Sequence, residues 1–301
     1  MSANTSILFC TVGVLLRRLL SDPDATWISH VIVDEVHERD RLTDFLLIIL
    51  KRLLTKNHKI KIVLMSATLN ADKFSKYFQG EGLTCPQVDI PGMTFPVEAV
   101  PLDEVLQLTR YHPPQNRNTV RDPHYLKLWM DFYAKQNMPM SKIIAMANLE
   151  GASVTQELNP DYKLIQALVG YIVKNKPCGA ILIFMPGWRE ISKTIDTLEL
   201  SPFVSRNPSR FTILPLHSAV APNEQRLIFK KPPKGCWKVV VSTNIAETSI
   251  TIDDVLYVID SGLTKEKRYD AHTGMSSLHT QWIAKSSAAQ RMGRAGRVRA
   301  G

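Results

Sequence analysis

The chain has 301 residues and a mass of 33.9 kDa, enough for about two domains of ordinary size. Hydrophobic residues make up 45% and charged residues 22%, with mean hydropathy −0.08, which excludes a disordered acidic chain and a membrane bundle. The 37 Lys and Arg against 28 Asp and Glu leave a net charge of +9, which favours a polyanionic partner without requiring one.

The first hundred residues alternate short apolar runs with helical patterns, which predicts an α/β domain with a parallel sheet. In chain order we expect a strand at 6–11, a helix at 12–20, a strand at 30–36, a helix at 42–54, a strand at 61–65 and a short helix at 70–78. The run at 30–36 is almost continuously apolar, which is typical of a strand buried on both faces.

Residues 101–160 are rich in proline and contain helix-like stretches at 125–135 and 142–150, so we interpret them as a helical linker or insert. The strand and helix alternation then returns, with helices expected at 161–174 and 189–198 and strands at 180–185, 211–215, 238–242 and 255–260. The predicted domains are therefore 1–100, the linker 101–160, and 161–301. Two such α/β layers favour a ligand in the cleft between them.

The four cysteines are far apart and form no C-x-x-C pair, which disfavours a metal cluster or a disulfide framework and fits a reducing compartment. No apolar stretch reaches 18 residues, which disfavours a membrane span, and no signal-peptide pattern stands at the start.

The sharpest local feature is the pair Asp34 and Glu35, which follows the apolar run and precedes His37. Open parallel sheets bind ligands at the carboxyl ends of their strands. There Asp34 can hold Mg²⁺, usually through water, and Glu35 can polarise a water for attack on phosphorus. The alternative is a strand end with solvated acids, which is the commoner explanation of a bare Asp-Glu pair.

A second feature is the stretch 285–301, which carries five basic residues and no acidic one. Arg294 and Arg297 are three apart, so in a helix both project from one face, where two guanidinium groups can clamp a triphosphate. The alternatives are a solvated basic tail or a general phosphate-backbone patch. Gly293 and Gly296 favour close approach to a ligand or a neighbouring element.

Two hydroxyl-rich turns lie between these features, Ser66-Ala67-Thr68 and the run 242–253. A hydroxyl-rich turn after a buried strand offers N–H and O–H donors to phosphates, although each alone is more often a helix cap or a local turn. The order of the four features carries more information than any one of them.

In that order the segments at 34–37, 66–68, 243–250 and 290–297 resemble motifs II, III, V and VI of the DEAH/DExH-box RNA helicases. The segments at 11–16, 184–187 and 215–218 are similar to motifs Ib, IV and IVa. Pro186-Gly187-Trp188 and the insert after residue 101 resemble the DExH branch that contains RNA helicase A and the G-quadruplex-resolving helicases. The resemblance implies two RecA-like lobes with mainly parallel sheets.

The resemblance also implies roles in the first lobe. Asp34 and Glu35 would coordinate Mg²⁺, and Glu35 would activate the hydrolytic water. His37 would couple motif II to the second lobe, while Ser66 and Thr68 would link hydrolysis to lobe movement.

In the second lobe, Gln290 would contact the γ-phosphate and water, and Arg294 and Arg297 would serve as arginine fingers. Asp253 matches a position that contacts the nucleotide ribose. The residues in motifs that line the RNA backbone are Thr11, Gly13, Thr243 and Asn244. The implied cofactors are ATP and Mg²⁺, and the implied partner is RNA, with DNA or a G-quadruplex as further options. We expect a monomer in the cytoplasm or nucleus, without a membrane partner.

Two elements of the family are missing. The family cradles the β- and γ-phosphates with a G-x-x-x-x-G-K-[ST] loop, yet none of the 14 glycines here is followed by lysine. Motif Ia is also absent, so we expect an incomplete first lobe with exposed apolar surface and a second lobe that stops after motif VI. This chain alone is therefore predicted to have weak or no ATPase activity.

Three functions remain open. The first is the motor core of an ATP-dependent RNA helicase, and the second is a non-catalytic nucleic-acid-binding fragment. The third, a metal-dependent phosphatase that uses Asp34 and Glu35, leaves the arginine-rich end unexplained.

Overall fold

The computed structural model describes residues 5–56, 59–66, 71–80, 83–90, 95–111, 158–248, 250–270 and 274–301. The chain divides into two compact units, Met1–Pro91 and Gly92–Gly301. Both units are α/β, and their main sheets are parallel, as predicted. The domain boundaries expected at 100 and 160 stay a prediction, and the helices expected at 125–135 and 142–150 lie outside the described residues.

The first unit is built around two parallel strands, β1 (His30–Val33) and β2 (Lys61–Leu64). Its helices are α1 (Val12–Ser21), α2 (Arg41–Lys56) and α3 (Ala71–Phe78). The core forms where α1 and α2 cover one face of the sheet, and its buried members include Leu19, Val31, Val33, Val36, Leu46, Leu50 and Leu53.

The opposite face of this sheet is exposed. Ile32 and Val63 are register partners on that face and keep 63% and 45% of their side-chain exposure. Burial of the 30–36 run on both faces is therefore wrong for the described part of this unit, because the helices described there cover only the other face. The strand expected at 6–11 is also wrong, since residues 5–11 are exposed and pair with no described strand.

Helix α2 begins at a well-defined cap. The Asp40 carboxylate accepts hydrogen bonds from the N–H groups of Leu42 (3.1 Å) and Thr43 (3.2 Å), which have no partner inside the helix. Arg39 donates two bonds of 2.8 Å to Asp44, and this hydrogen bonding holds the pKa of the Asp44 carboxyl below its usual range.

The second unit contains the larger sheet. The strands of the second unit are β3 (Ala180–Phe184), β4 (Phe211–Leu216), β5 (Trp237–Ser242), β6 (Val255–Asp260), β7 (Leu263–Asp270) and β8 (Met275–Trp282). Its helices are α4 (Leu102–Thr109), α5 (Tyr162–Asn175), α6 (Trp188–Glu199), α7 (Pro202–Ser205), α8 (Pro222–Gln225) and α9 (Lys285–Met292). The strands and helices predicted between 161 and 260 are confirmed to within about one residue at each end.

Four parallel strands run in the order β4-β5-β3-β6. Strands β3 and β5 are buried along their whole length, because apolar layers cover both faces. One layer joins α5 and α6 to the sheet through Ile165, Val169, Ile181, Ile183, Ile191 and Val239, and the other contains Leu182, Phe184, Leu216, Ile228 and Val240.

Helix α5 is tied to the segment after α4. The Asp161 carboxylate caps α5 by accepting from the N–H groups of Lys163 (3.1 Å) and Leu164 (3.0 Å), and it also accepts from the Tyr111 hydroxyl (3.1 Å). The described start of the predicted linker, 101–111, thus packs within the second unit.

Strands β7 and β8 form an antiparallel hairpin that the sequence pattern did not predict. Its residues are mostly exposed, so they lack the apolar alternation that burial of one face produces. In the part of the chain that the structure describes, no helix has the length and apolarity needed to cross a membrane.

Candidate functional site

Asp34 and Glu35 stand at the turn that ends β1, as expected for ligand-binding residues of a parallel sheet. Asp34 is exposed, and its Oδ1 accepts from the Glu35 N–H at 2.8 Å. Glu35 adopts φ +54°, a conformation that costs a non-glycine residue about 1–2 kcal/mol, so the turn is held by its surroundings. His37 Nε2 lies 3.4 Å from Glu35 Oε2, and the imidazole is largely buried while the carboxylate remains partly exposed.

Hydrogen bonds join this turn to the end of β2. The Met65 N–H donates to the Val33 carbonyl at 2.8 Å, and the Val36 N–H donates to the Met65 carbonyl at 3.1 Å. Ser66 follows directly and is exposed, so the structure brings it beside the acidic turn. Thr68, the second predicted coupling residue, lies outside the described residues.

Thr11 and Gly13 begin helix α1. The exposed Thr11 is the N-cap residue, and its carbonyl accepts from the N–H groups of Val14 (3.0 Å) and Leu15 (3.2 Å). A Cβ at Gly13 would meet Leu42 Cδ1 at 3.8 Å, an ordinary contact, so packing does not require glycine there.

In the second unit, the parallel strands carry their carboxyl ends to one edge of the sheet. The Met185 N–H after β3 donates to the Ser242 carbonyl of β5 at 2.7 Å. The ring of Trp188, the first residue of α6, lies 5.5 Å from the ring of His217 in the turn after β4. Three predicted motif segments therefore meet at this edge.

The turn after β5 holds Thr243 and Asn244. Thr243 is buried and its N–H donates to the Leu216 carbonyl at 3.4 Å, whereas Asn244 is exposed. Asp253 is exposed in the turn that leads into β6. The next residue, Asp254, accepts from Lys238 Nζ at 2.5 Å.

Lys238 is a feature that the pattern analysis missed. It is 1% exposed within β5, and its ammonium also donates to the carbonyls of Ile228 (2.7 Å) and Lys230 (3.3 Å). A lysine inside an otherwise apolar strand is the signal that indicates such a buried ion pair.

The arginine-rich end differs from prediction. Helix α9 ends at Met292, so Arg294 and Arg297 do not share a helical face, and that expectation is wrong. Gly293 is the C-cap residue of α9, and Gly296 adopts φ +70°, so the chain does not continue as a helix there. Gln290, half-buried, lies within the helix.

Both arginines nevertheless contact the segment after β5. Arg294 Nη2 donates to the Glu247 carbonyl, and Arg297 Nη1 donates to Thr251 Oγ1 at 2.7 Å. Both arginines are half-buried as residues, and the Nε and Nη1 atoms of Arg294 are shielded from solvent. The loop after β5, and not a common helix, brings the two side chains into one region.

Gly296 confirms the expected close approach to a neighbouring element. A Cβ there would lie 2.6 Å from the Phe95 carbonyl oxygen and 2.5 Å from Val97 Cγ2. The Phe95 N–H donates to the Gly296 carbonyl at 2.7 Å, so residues 95–98 support residues 291–297, called here the arginine segment, from within the same unit. Gly293, by contrast, would meet only carbonyls of its own helix.

A buried charge cluster lies behind the arginine segment, and sequence reasoning missed it. Arg291 is 1% exposed; its Nε donates to Glu247 Oε2 at 2.9 Å and its Nη1 to Asp260 Oδ1 at 2.8 Å. Its guanidinium also lies 4.9 Å from the centre of the Phe184 ring. The cluster joins the ends of β3 and β6 to the loop after β5 and to α9.

Among the described residues, no group of three or more His, Cys, Asp or Glu side chains has the arrangement of a metal centre. Asp34 and Glu35 remain adjacent carboxylates at an open turn. Such a pair fits Mg²⁺, which commonly binds one or two carboxylates and takes its other ligands from water and phosphate.

Comparison with known proteins places these features in context. Residues 163–299 match the helicase conserved C-terminal domain. The chain is 43% identical over 314 residues to the DExH-box ATP-dependent RNA helicase DExH1 of Arabidopsis thaliana, covering 100% of this chain and 31% of that protein. It is 40% identical to the human ATP-dependent DNA/RNA helicase DHX36, covering 98% of this chain and 30% of that protein.

Among solved structures, the Escherichia coli DEAH/RHA helicase HrpB matches with a TM-score of 0.67 and 28% identity, over 96% of this chain and 29% of that one. The predicted resemblance to DEAH/DExH-box helicases is thereby confirmed. The chain spans about a third of the length of the relatives it matches.

Proposed function

We propose that this chain, which carries a helicase conserved C-terminal domain and is homologous to the DExH-box RNA helicases, forms part of the motor core of an ATP-dependent RNA helicase. In this role it would help to couple ATP hydrolysis to movement along RNA or structured nucleic acid. The observation that carries the proposal is the meeting of the turns after β3, β4 and β5 at one sheet edge, with Arg294 and Arg297 bonded to the loop after β5.

The arginines would act on the nucleotide. Arg294 and Arg297 provide positive charge at the edge where parallel sheets bind ligands, and guanidinium groups there stabilise the charge of a transferring phosphoryl group. Gln290 would orient water and the γ-phosphate, and the exposed Asp253 would contact the ribose.

The carboxylates of the first unit would serve the hydrolytic step. Asp34 would hold Mg²⁺ with the help of Glu35, and bound Mg²⁺ would neutralise phosphate charge. Glu35 would take the proton of the attacking water, and the His37 imidazole, 3.4 Å away, keeps the carboxylate oriented. Ser66, bound into the same turn through Met65, would link this step to movement.

The backbone of RNA would be bound by Thr11, Gly13, Thr243 and Asn244. The exposed Asn244 side chain and the N–H groups at the start of α1 suit phosphate and sugar contacts, which carry little sequence information. DNA or a G-quadruplex would use the same contacts.

RNA binding tests the proposal directly. Fluorescence anisotropy with a single-stranded RNA should show affinity that falls at least about tenfold between 50 and 200 mM salt and varies little with sequence. Asn244→Ala should weaken binding, whereas Asn175→Ala, at the far end of α5, should not. Affinity that does not change with salt would contradict the proposal.

A second candidate, a nucleic-acid-binding fragment without turnover, is favoured by one observation: no glycine in these 301 residues is followed by lysine, so the phosphate loop is lacking. A phosphate-release assay with and without RNA separates the two candidates. We expect little or no turnover from this chain, and RNA-stimulated release at ordinary helicase rates would overturn that expectation.

A further inference from the structure

The loop after β5 touches two arginines through one residue. The Glu247 carboxylate accepts from the buried Arg291, and the Glu247 main-chain carbonyl accepts from Arg294. Arg291 belongs to helix α9, whereas Arg294 follows its end. Glu247 therefore contacts the arginine segment on both sides of the point where the helix stops.

The contact is buried, which gives it energetic weight. Glu247 is 7% exposed and Arg291 is 1% exposed. Desolvated ions need good geometry to remain charged, and here the guanidinium finds a second carboxylate at Asp260 and the Phe184 ring on its face. Moving Arg291 would leave two carboxylates short of their donor.

The cluster is also tied to the sheet. Asp260 ends β6, and its Oδ1 accepts from the Gly262 N–H at 2.8 Å as well as from Arg291. Phe184 ends β3, and its carbonyl accepts from the Ser261 N–H at 3.3 Å. The arginine segment is thus anchored to the ends of β3 and β6, whereas Arg294 itself lies in a loop without regular structure.

Glu247 also lies close in sequence to the proposed RNA-binding turn. Its N–H donates to the Asn244 carbonyl at 2.8 Å, within the 3₁₀ turn that Thr243 begins. A shift of this turn would move the Glu247 carboxylate and carbonyl together, because both belong to one residue.

We propose that Glu247 is the positioning residue of the arginine segment. Its carboxylate, through Arg291, and its carbonyl, through Arg294, set where the guanidinium groups of Arg294 and Arg297 stand. The inference rests on the proposed function only for the identity of the ligand that these guanidinium groups bind, a nucleoside triphosphate.

Arginine labelling tests this positioning without requiring turnover. Phenylglyoxal modifies accessible guanidinium groups, and mass spectrometry follows each arginine separately. In Glu247→Ala we expect Arg291 and Arg294 to be labelled about tenfold faster, equivalent to about 1.4 kcal/mol of lost local protection. Glu247→Gln keeps the size of the side chain, and we expect it to speed the labelling of Arg291 and Arg294 by a smaller factor. This variant serves as the test if Glu247→Ala does not fold.

The matched control is Glu190→Ala. Glu190 is similarly buried, at 6% exposure, and it too binds a cation, Lys265 Nζ at 2.9 Å, in the same unit. If both substitutions speed the labelling of Arg294 equally, or if neither does, then Glu247 has no special positioning role and the inference is wrong.

Addition of ATP separates this inference from the proposed function. In the wild-type chain, millimolar ATP should shield Arg297 from phenylglyoxal, and Glu247→Gln should reduce that shielding while the urea midpoint stays close to that of Glu190→Gln. A purely structural role would not alter the shielding at matched stability. Absence of shielding in the wild-type chain would contradict the nucleotide role, while the difference between the Glu247 and Glu190 variants without ATP would still decide the inference.

Discussion

Strand β3 of the second unit is buried at every residue, whereas strand β1 of the first unit alternates between buried and exposed positions. Both are short, apolar and parallel to their neighbours, so their sequences alone look alike. The difference lies in what covers them: apolar layers lie on both faces of β3, whereas the described residues of the first unit form such a layer on one face of β1.

The same contrast extends to charge. In the second unit Arg291 is paired in the interior, and its partners are fixed by strand ends. In the first unit Arg39 pairs with Asp44 at the surface. The buried charges around Arg291 therefore support the fold, whereas Asp34 is exposed and Glu35 is partly exposed, so that a ligand can reach them.

The largest effect is expected from Arg291→Met. This substitution removes the donor shared by Glu247 and Asp260, and breaking a buried ion pair from one side costs about 3–5 kcal/mol. Urea denaturation followed by circular dichroism measures the loss. Arg39→Met is the control from the first unit and should cost less than about 1 kcal/mol.

A loss of less than about 1 kcal/mol for Arg291→Met would mean that water reaches the two carboxylates, and the contrast between buried and surface charge would disappear. Retaining wild-type stability in Arg291→Lys would show that charge alone is sufficient. We expect the stability of Arg291→Lys to lie between that of the wild-type chain and that of Arg291→Met, because an ammonium lacks the planar fork that binds two carboxylates.

The second-largest effect tests the apolar layers. Ile183→Val removes one methylene group from β3, where Ile183 is 0% exposed, and should cost about 0.5–1.5 kcal/mol. The matched change Ile32→Val, at a residue with 63% exposure on β1, should leave stability within about 0.5 kcal/mol. Equal losses at the two sites would show that the exposed face of β1 is covered in solution.

These comparisons also explain how far the sequence allowed prediction. Strands β3 and β6 were predicted within a residue of their observed bounds because burial on both faces leaves an uninterrupted apolar run. The β7–β8 hairpin was missed because Lys265 to Arg268 are all charged, so nothing in the pattern marks a buried face.

At the site, adjacent residues were predictable and long-range pairing was not. Asp34 and Glu35 end a strand as expected. The Glu247–Arg291 pair joins residues 44 positions apart, and only the topology of the sheet brings them together. The prediction that Arg294 and Arg297 share a helical face was wrong, because residues three apart lie on one face only inside a helix, and α9 ends before both.

The smallest expected effect concerns the surface pair and depends on pH. Hydrogen bonding from Arg39 lowers the folded-state pKa of Asp44, so ionised Asp44 stabilises the fold above its unfolded-state pKa. That contribution is lost as pH falls through the lower, folded-state value. At pH 7, Asp44→Asn should reduce the stability of α2 by no more than about 1 kcal/mol, discounted further because the pair is exposed.

Hydrogen exchange of the α2 amides is the suitable measurement, since it reports on the first unit alone. Wild-type and Asp44→Asn chains should differ at pH 7 in low salt, converge as the pH falls and Asp44 takes up its proton, and converge at pH 7 in about 1 M salt, where surface charges are screened. Asp44 also lies in the first turn of α2, where a carboxylate favours the helix dipole. The variant Arg39→Gln separates the two causes. If Asp44→Asn has the same effect with and without Arg39, then the helix dipole and not the ion pair stabilises α2. The surface pair would then contribute no stability, in contrast to the buried pairs of Arg291.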